Sequence, residues 1–270
     1  MLSEPLSLEK LATESKGFLQ SVETAPDSVT LEIFQVRIPA HDPELAEQLW
    51  SNVDEQRLDV QSRRELVRNG FRAGVLSGTI PDVLARHLNL QSEMPAASSE
   101  QVITDKNADP SVLRRVIQLN RHGSATVQAS DLQQKLLLMI KSDKGLKGRS
   151  YDHAQAVYSL RAESVVGQRV AISLTPELQY GELRNRYSGG AQGIFLTTPS
   201  RKREIFDQLE VSTELTAGEL LLVGCLPSVP GSLGLAFHSI DRGGQAEHKL
   251  LLVRLLQVPG SEILADAASK

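Results

Sequence analysis

The sequence has little of several residue types on which common binding and catalytic sites depend. One cysteine, Cys225, occurs in 270 residues, which excludes an intramolecular disulfide and a metal site built from cysteine ligands. Aromatic residues make up 4% of the chain, too few for the stacking platforms that bind bases or sugars. The formal net charge is −4, so no overall positive field attracts nucleic acid. We therefore expect no nucleic-acid partner.

Long hydrophobic segments are also missing from the sequence. The longest apolar run, 250–256, contains Arg254 and is far shorter than the roughly 18 residues that suggest a membrane-spanning helix. Residues 1–5 include no basic residue and no apolar stretch follows them, so no signal peptide is visible. We expect no transmembrane segment, and the sequence leaves open whether a leader has been lost before Met1.

Motifs of known catalytic chemistry are missing as well. The glycine-containing runs match neither GxGxxG nor the P-loop, and the chain has no GxSxG or HExxH pattern. Cys225 lies in an apolar run with no cation beside it, which predicts a buried, unreactive thiol. No metal-site spacing is found among the histidines, which are His41, His87, His122, His153, His238 and His248. We therefore predict no catalytic residue, no cofactor and no bound metal, and we expect that the protein is not an enzyme.

The sequence does contain a change of hydrophobic period, from 3.6 in its first part to 2 in its second. Asp42 and Pro43 have the residue types favoured at the N-cap and first position of a helix. The predicted segments are a polar tail at 1–26, a small β-α-α-β-α domain at 27–90, a linker at 91–108, an antiparallel β domain at 109–260 and a second tail at 261–270. The expected fold class is therefore α+β, with a small α/β N-terminal unit followed by a mainly antiparallel β-sheet domain.

Three of the expected strands, at 136–140, 220–223 and 250–256, are apolar on both faces. Strands of this kind lie inside a sheet that is covered on both sides. If a domain of this size contains a single sheet, few residues remain to cover both of its faces. We therefore predict a second sheet or a partner chain, so that the β domain binds a protein partner or self-associates.

The order of the expected strands also predicts where two long loops lie. In an up-and-down meander, successive connections alternate between the two ends of the sheet, which places loops 142–153 and 180–205 at the same end. These loops are rich in lysine and arginine, although an alternative is that their cations are ordinary solvated loop residues. We predict a basic rim for an anionic partner, formed by Lys144, Lys147, Arg149, Arg184, Arg186, Arg201, Lys202 and Arg203.

Two segments of the second half resemble the β domain of bacterial secretins. Residues 168–177, QRVAISLTPE, resemble a strand of that domain that ends near a proline. Residues 215–226, LTAGELLLVGCL, resemble its later hairpin, and 249–256 would follow as a closing strand. The resemblance covers roughly 150–258 and implies a cell-envelope protein that works by assembly. Because no membrane-crossing hairpin or gate segment is recognisable, it implies a soluble scaffold rather than a pore.

Two functions are open on the sequence. The leading one is a non-catalytic binding or assembly protein, a secretin-like component of the cell envelope with a periplasmic location implied by the resemblance. The alternative is a cytosolic enzyme or ligand-binding protein whose site is assembled from loops distant in sequence. A deep pocket with converging ionisable side chains would favour the alternative, whereas exposed strand edges or apolar patches would favour assembly.

Overall fold

The computed structural model describes residues 28–40, 42–78, 81, 84–85, 111–120, 123–165, 168–189 and 195–258. The predicted tails at 1–26 and 261–270 and the predicted linker at 91–108 lie outside the described residues. The strands are β1 (Ser28–Pro39), β2 (Phe71–Leu76), β3 (Val112–Asn120), β4 (Ser124–Gln128), β5 (Gln133–Ser142), β6 (Gly145–Val165), β7 (Arg169–Gly189), β8 (Phe195–Ile205), β9 (Val211–Leu215), β10 (Leu220–Cys225), β11 (Ser239–Arg242) and β12 (Gln245–Gln257). The helices are α1 (Pro43–Trp50), α2 (Val60–Arg68) and α3 (Leu233–His238), with short 3-10 turns at Glu55–Arg57 and Asp207–Leu209.

The described strands form two six-stranded sheets. The first sheet has the order β2-β10-β12-β1-β3, with β11 also paired to β12. The second has the order β4-β6-β7-β8, with β5 also paired to β6 and β9 to β7. Every pairing between these strands is antiparallel. The predicted α+β class with a mainly antiparallel sheet is confirmed. No helix in the described ranges has both the length and the apolar character needed to cross a membrane.

The first sheet buries apolar side chains on both of its faces. Leu31 and Ile33 point into the core that this sheet shares with the second sheet. Phe34 and Val36 alternate to the other face, where they share a core with Trp50 of α1. The helix begins as the sequence predicts, because the Asp42 carboxylate accepts a hydrogen bond from the Leu45 amide at 2.9 Å. The sheet is therefore a middle layer between a helix and a second sheet.

The close approach of α1 depends on one glycine of the first sheet. A β-carbon on Gly224 would lie 3.1 Å from the ring of Trp50 and 3.0 Å from the Leu250 side chain. Distances this short would push the helix away from β10 and β12. Gly224 thus permits the packing that covers this face of the sheet.

The small unit predicted at 27–90 does not form a sheet of its own. β1 pairs with β3 and β12, and β2 pairs with β10. Every residue of β1 from Ser28 to Phe34 is buried, and a strand buried on both faces needs more neighbours than residues 27–90 can supply. The expected separate domain is corrected to a part of the first sheet, whose other strands come from residues 112–257.

The single six-stranded meander predicted for the β domain is also wrong. β5 to β9 belong to the second sheet, whereas β10 and β12 cross to the first. The loops predicted at 142–153 and 180–205 consist largely of strand, in the hairpins β5–β6 and β7–β8. Because β6 and β7 are antiparallel along 155–179, both hairpins extend from the same end of the sheet. These segments are polar and have no apolar face, so their hydrophobic periodicity does not predict strands.

A fragment of residues 27–90 is expected to be unfolded on its own. Its two strands make no ladder with each other, and both would lose the partners that bury them. Circular dichroism and the amide proton spectrum of the fragment should both be those of an unfolded chain. A dispersed amide spectrum with cooperative unfolding would contradict the shared sheet, and the full chain serves as the folded control.

Candidate functional site

A cleft of about 290 Å³ opens between the two sheets along the edge where β3 continues into β4. Gln35 donates a hydrogen bond of 2.5 Å to the Gln128 carbonyl and so joins β1 to β4. The Lys249 ammonium donates to the Ala129 carbonyl and makes a second link across the cleft. The lining residues are Ile33, Gln35, Arg37, Leu113, Arg115, Ile117, Ala125, Thr126, Val127, Gln128, Ala129, Ser130, Asp131, Ile240 and Lys249.

Three cationic side chains line this cleft. Arg37 of β1 lies directly opposite Lys249 of β12 in the antiparallel register, and Arg115 of β3 is exposed at the cleft. Burial lowers the pKa of Lys249, Asp131 raises it, and Arg37 lowers it further. The Glu247 carboxylate lies 3.5 Å from the Arg37 guanidinium. The cleft therefore gathers positive charge from three strands of one sheet.

A buried hydrogen-bond chain lies beside the cleft and joins the two sheets. The Tyr158 hydroxyl of β6 lies 2.6 Å from Nε2 of His238, and His238 Nδ1 lies 2.7 Å from the Lys249 carbonyl of β12. A carbonyl can only accept, so Nδ1 carries the proton and Nε2 accepts from the tyrosine. Burial lowers the pKa of His238 to about 4 and raises the pKa of Tyr158. Both groups therefore stay neutral near pH 7 and hold the sheets together.

Cys225 is 8% exposed, so the predicted burial of this thiol is confirmed. Its sulfur lies 3.4 Å from Nδ1 of His248, a neighbour that the sequence did not reveal. Burial raises the pKa of the Cys225 thiol to about 12 and lowers the pKa of His248. The pair therefore favours the neutral thiol and neutral imidazole, which is a poor arrangement for a nucleophile.

The predicted basic rim is spread over the two hairpins at one end of the second sheet. The exposed members of the rim are Lys144, Lys147, Arg149, Arg184, Lys202 and Arg203. The side chain of Arg186 lies outside the described part of the chain. Arg201 is half-buried, and its Nε has no hydrogen-bond partner among the described residues. Anion binding by this rim stays a prediction.

Two members of the rim are neutralised by carboxylates. Arg149 of β6 donates to Glu204 of β8 at 2.5 Å, a contact that joins the two hairpins. Arg203 makes three hydrogen bonds to the carboxylate of Glu177, two from Nη2 at 2.6 and 2.8 Å and one from Nε at 3.0 Å. The Glu177 side chain is 5% exposed. These two arginines therefore support the hairpins and offer less positive charge to a partner.

The cleft cations were missed at the sequence level. Arg37 and Lys249 occupy the inward positions that follow or precede apolar residues such as Ile33 and Leu251. On this face the apolar residues of β1 end before Arg37, and those of β12 begin after Lys249. That signal is present in the sequence, but it does not tell which strands are neighbours. Among the described residues, no three His, Cys, Asp or Glu side chains group as they would around a metal ion.

A scan against protein-family models and a search of curated proteins both found no match. A search of solved structures found similarity to the InvG secretin domain β-barrel from the Salmonella SPI-1 injectisome, at 12% identity. The match covers 90% of this chain and 68% of that one, with a TM-score of 0.21. A score this low does not establish a shared fold, and nothing is transferred from that protein to this chain.

His238 is expected to remain neutral with its proton on Nδ1 until the pH falls to about 4. Its folded pKa lies below the usual 6.5, so the unfolded state takes up a proton first, and stability falls between pH 6.5 and 4 by about 3 kcal/mol. Histidine ring nitrogen NMR measures this titration, and a His248→Gln variant removes a second histidine whose pKa is lowered. Titration of His238 near pH 6.5 would contradict the buried hydrogen bonds of this histidine.

Replacing Arg203 by Ser is expected to destabilise the protein by about 1–3 kcal/mol, because it leaves the buried Glu177 carboxylate without its charged partner. The neighbouring, exposed Lys202→Ser should change stability by less than about 0.5 kcal/mol. Denaturant unfolding of the two variants makes the comparison. Equal stabilities would show that the Arg203–Glu177 contact contributes nothing. Anion binding by the rim is better tested with Lys144, Lys147 and Lys202.

Proposed function

We propose that this protein is a non-catalytic assembly protein that binds an acidic protein partner through the outer face of the β5–β6 hairpin. Three large apolar side chains on that face are exposed: Leu137 by 69%, Met139 by 44% and Leu146 by 52%. On the opposite face of the same hairpin, Leu136 and Leu138 are buried in the core. An exposed apolar group of this size on a folded domain is a mark of an interaction surface.

The proposal rests on a difference in burial among the three strands that are apolar on both faces. In β10 and β12 both faces are buried, one against the second sheet and the other in the core formed with α1. In β5 the second apolar face remains exposed within the described residues. The sequence predicted that a second sheet or a partner chain covers these strands. The protein itself covers β10 and β12, so we propose a partner chain for β5 alone.

The residues opposite β5 on this face do not shield its apolar side chains. Leu137 faces Ser150 and Met139 faces Gly148 across the hairpin, and Leu146 faces Lys141. Serine and glycine are too small to cover their neighbours. An exposed apolar face of this kind suits the apolar surface of a protein better than a small ligand.

The charge around this apolar centre favours an acidic partner over a second copy of the chain. The exposed Lys135 and Lys141 lie on this face, and the exposed Lys144 lies in the turn of the hairpin. Asp152 lies opposite Lys135, and Asp143 lies 3.5 Å from Arg68 of α2. Two copies docked face to face would bring these lysines together, which costs free energy. Acidic residues around an apolar centre on another protein would complement them.

A cell-envelope location for this assembly, as the resemblance to secretins implies, is the finer part of the proposal. It is supported by residues 168–177 and 215–226 of the sequence alone. The displaced pKa values of His238 and Cys225 support the non-catalytic part, because neither group changes its protonation near neutral pH.

The partner can be identified by cross-linking and then tested with purified proteins. A photo-reactive amino acid at position 137 should cross-link one acidic protein in native cells, and the same residue at exposed position 163 should not. The purified partner should bind at least tenfold more weakly to a Leu137→Ser/Met139→Ser variant, since each buried apolar side chain contributes about 1.5–3 kcal/mol. Binding should also weaken as salt is added.

The matched control is Val116→Ser, which removes an apolar side chain of similar exposure from the edge strand β3. Affinity for the partner should be unchanged in this variant. Equal binding by the double variant and the wild type would exclude the hairpin face as the interface. Cross-links between copies of the chain, together with a dimer in sedimentation, would show that the face mediates self-association and does not bind an acidic partner.

A further inference from the structure

We infer that the outer edge of β3 binds an extended, acidic segment of a partner protein, which adds a strand to the first sheet. The outer edge is the side of β3 that faces away from β1, between Arg114 and Gln118. It shares no residue with the outer face of the β5–β6 hairpin. The segment is therefore a second ligand, independent of the partner proposed above.

The backbone of β3 presents unpaired hydrogen-bonding groups along this edge. The Arg37 amide of β1 donates to the Ser111 carbonyl at 2.9 Å. Hydrogen-bonded pairs alternate along an antiparallel ladder, so every second residue of β3 points its N–H and C=O away from β1, namely Arg114, Val116 and Gln118. Within the described residues, no hydrogen bond reaches these outward backbone groups. A row of this kind is a template for strand addition.

The opposite edge of the same sheet is closed by the protein itself. β2 is the last strand on that side, and Val75 exchanges two backbone hydrogen bonds with Asp54, of 2.8 and 3.0 Å. Gly74 permits this approach, because a β-carbon there would lie 2.9 Å from the Asp54 carbonyl oxygen. Natural sheets commonly protect their edges in this way. The difference between the two edges favours a binding role for β3.

The cleft-facing side chains of β3 indicate what the added strand carries on that face. Leu113 is 41% exposed and Ile117 is half-buried. Arg115 lies between them and makes no ion pair among the described residues. All three line the cleft, so a strand beside β3 places its own side chains over the mouth of the cleft. Cross-strand neighbours lie about 5 Å apart. We expect a carboxylate opposite Arg115 and apolar residues opposite Leu113 and Ile117.

The other face of the edge has one uncovered apolar side chain. Val116 is 55% exposed there, and an apolar residue on the added strand would cover it. Arg114 on the same face is already paired with the buried carboxylate of Glu32. The added strand therefore needs no second acidic residue at this position.

A second copy of β3 is a poorer occupant than an acidic segment. β3 contains two arginines and no acidic residue. Pairing of two copies would bring a second Arg115 to the edge without a carboxylate from β3 to neutralise it. An Asp or Glu opposite Arg115 instead makes a favourable cross-strand pair of opposite charge.

The inference is tested by NMR titration of the full chain with the capped peptide Thr-Val-Val-Glu-Thr-Val, written to pair antiparallel with residues 113–118. We expect a Kd below about 1 mM, with slower solvent exchange of the Val116 and Gln118 amides in the complex. A peptide with Lys in place of Glu should bind roughly tenfold more weakly or worse. The same loss is expected for a peptide methylated on its third and fifth backbone nitrogens, because it cannot donate to the Val116 and Arg114 carbonyls.

Variants of the edge test the same contacts from the side of the protein. Val116→Pro removes an outward amide that the ladder with β1 does not use, and proline is tolerated at such a position of an edge strand. It should weaken binding of the Glu peptide by roughly tenfold or more. Val116→Thr keeps both the amide and a branched side chain, so this matched control should bind within about twofold of the wild type. Arg115→Gln should remove the preference for the Glu peptide over the Lys peptide.

Several outcomes would overturn the inference. They are absence of peptide binding, equal binding of the methylated peptide, and protection of the Val116 and Gln118 amides in the free chain, which would show that the edge is already covered. If Val116→Pro does not fold, the comparison of the two Glu peptides decides, because it uses the unaltered protein. The Leu137→Ser/Met139→Ser variant should bind the peptide as the wild type does, so the test is independent of the hairpin face.

Discussion

The first sheet must bury apolar side chains on both of its faces, and the rest of the structure depends on this requirement. In β12, Leu250 and Leu252 point to the core formed with α1, while Leu251 and Val253 point to the second sheet. A strand of this kind needs a cover on each side. The second sheet supplies one cover, and the helix that follows β1 supplies the other. The small N-terminal segment is therefore required by the β domain and cannot be separated from it.

The same sheet shows how a buried charge is balanced when its partners come from the protein itself. Glu32 of β1 is almost completely buried on the face that α1 covers, and it forms ion pairs with Arg114 and Arg254 from the two neighbouring strands. On the opposite face, Arg37 and Lys249 are neighbours of equal sign. The buried carboxylate is neutralised by two guanidiniums, whereas the paired cations line an open cleft.

Local chemistry made part of this structure predictable from the sequence. Asp42 and Pro43 start α1 as their residue types indicate, and the three segments predicted to be apolar on both faces, 136–140, 220–223 and 250–256, lie in β5, β10 and β12. Alternation states that a face is buried but not what it is buried against, so the pairing of β1 with β12, more than two hundred positions apart, could not be derived. The cleft was missed for the same reason. Arg37, Arg115 and Lys249 each look like ordinary solvated cations until their strands are placed side by side.

The exposed hairpin and the hydrogen-bonded groups beside the cleft share one strand, β6. β6 carries Leu146 and Gly148 in the exposed hairpin, and further along it carries Tyr158, whose hydroxyl bonds to His238. His238 in turn donates to the Lys249 carbonyl, next to the ammonium that enters the cleft. The bond between Tyr158 and His238 is buried, and His238 stays neutral near pH 7, so this geometry does not change with pH near neutrality. These bonds fix the spacing of the two sheets beside the cleft, where the Lys249 ammonium donates to the Ala129 carbonyl. Rigidity of this kind suits a binding protein, because the free energy of ordering the site is spent during folding and not during association.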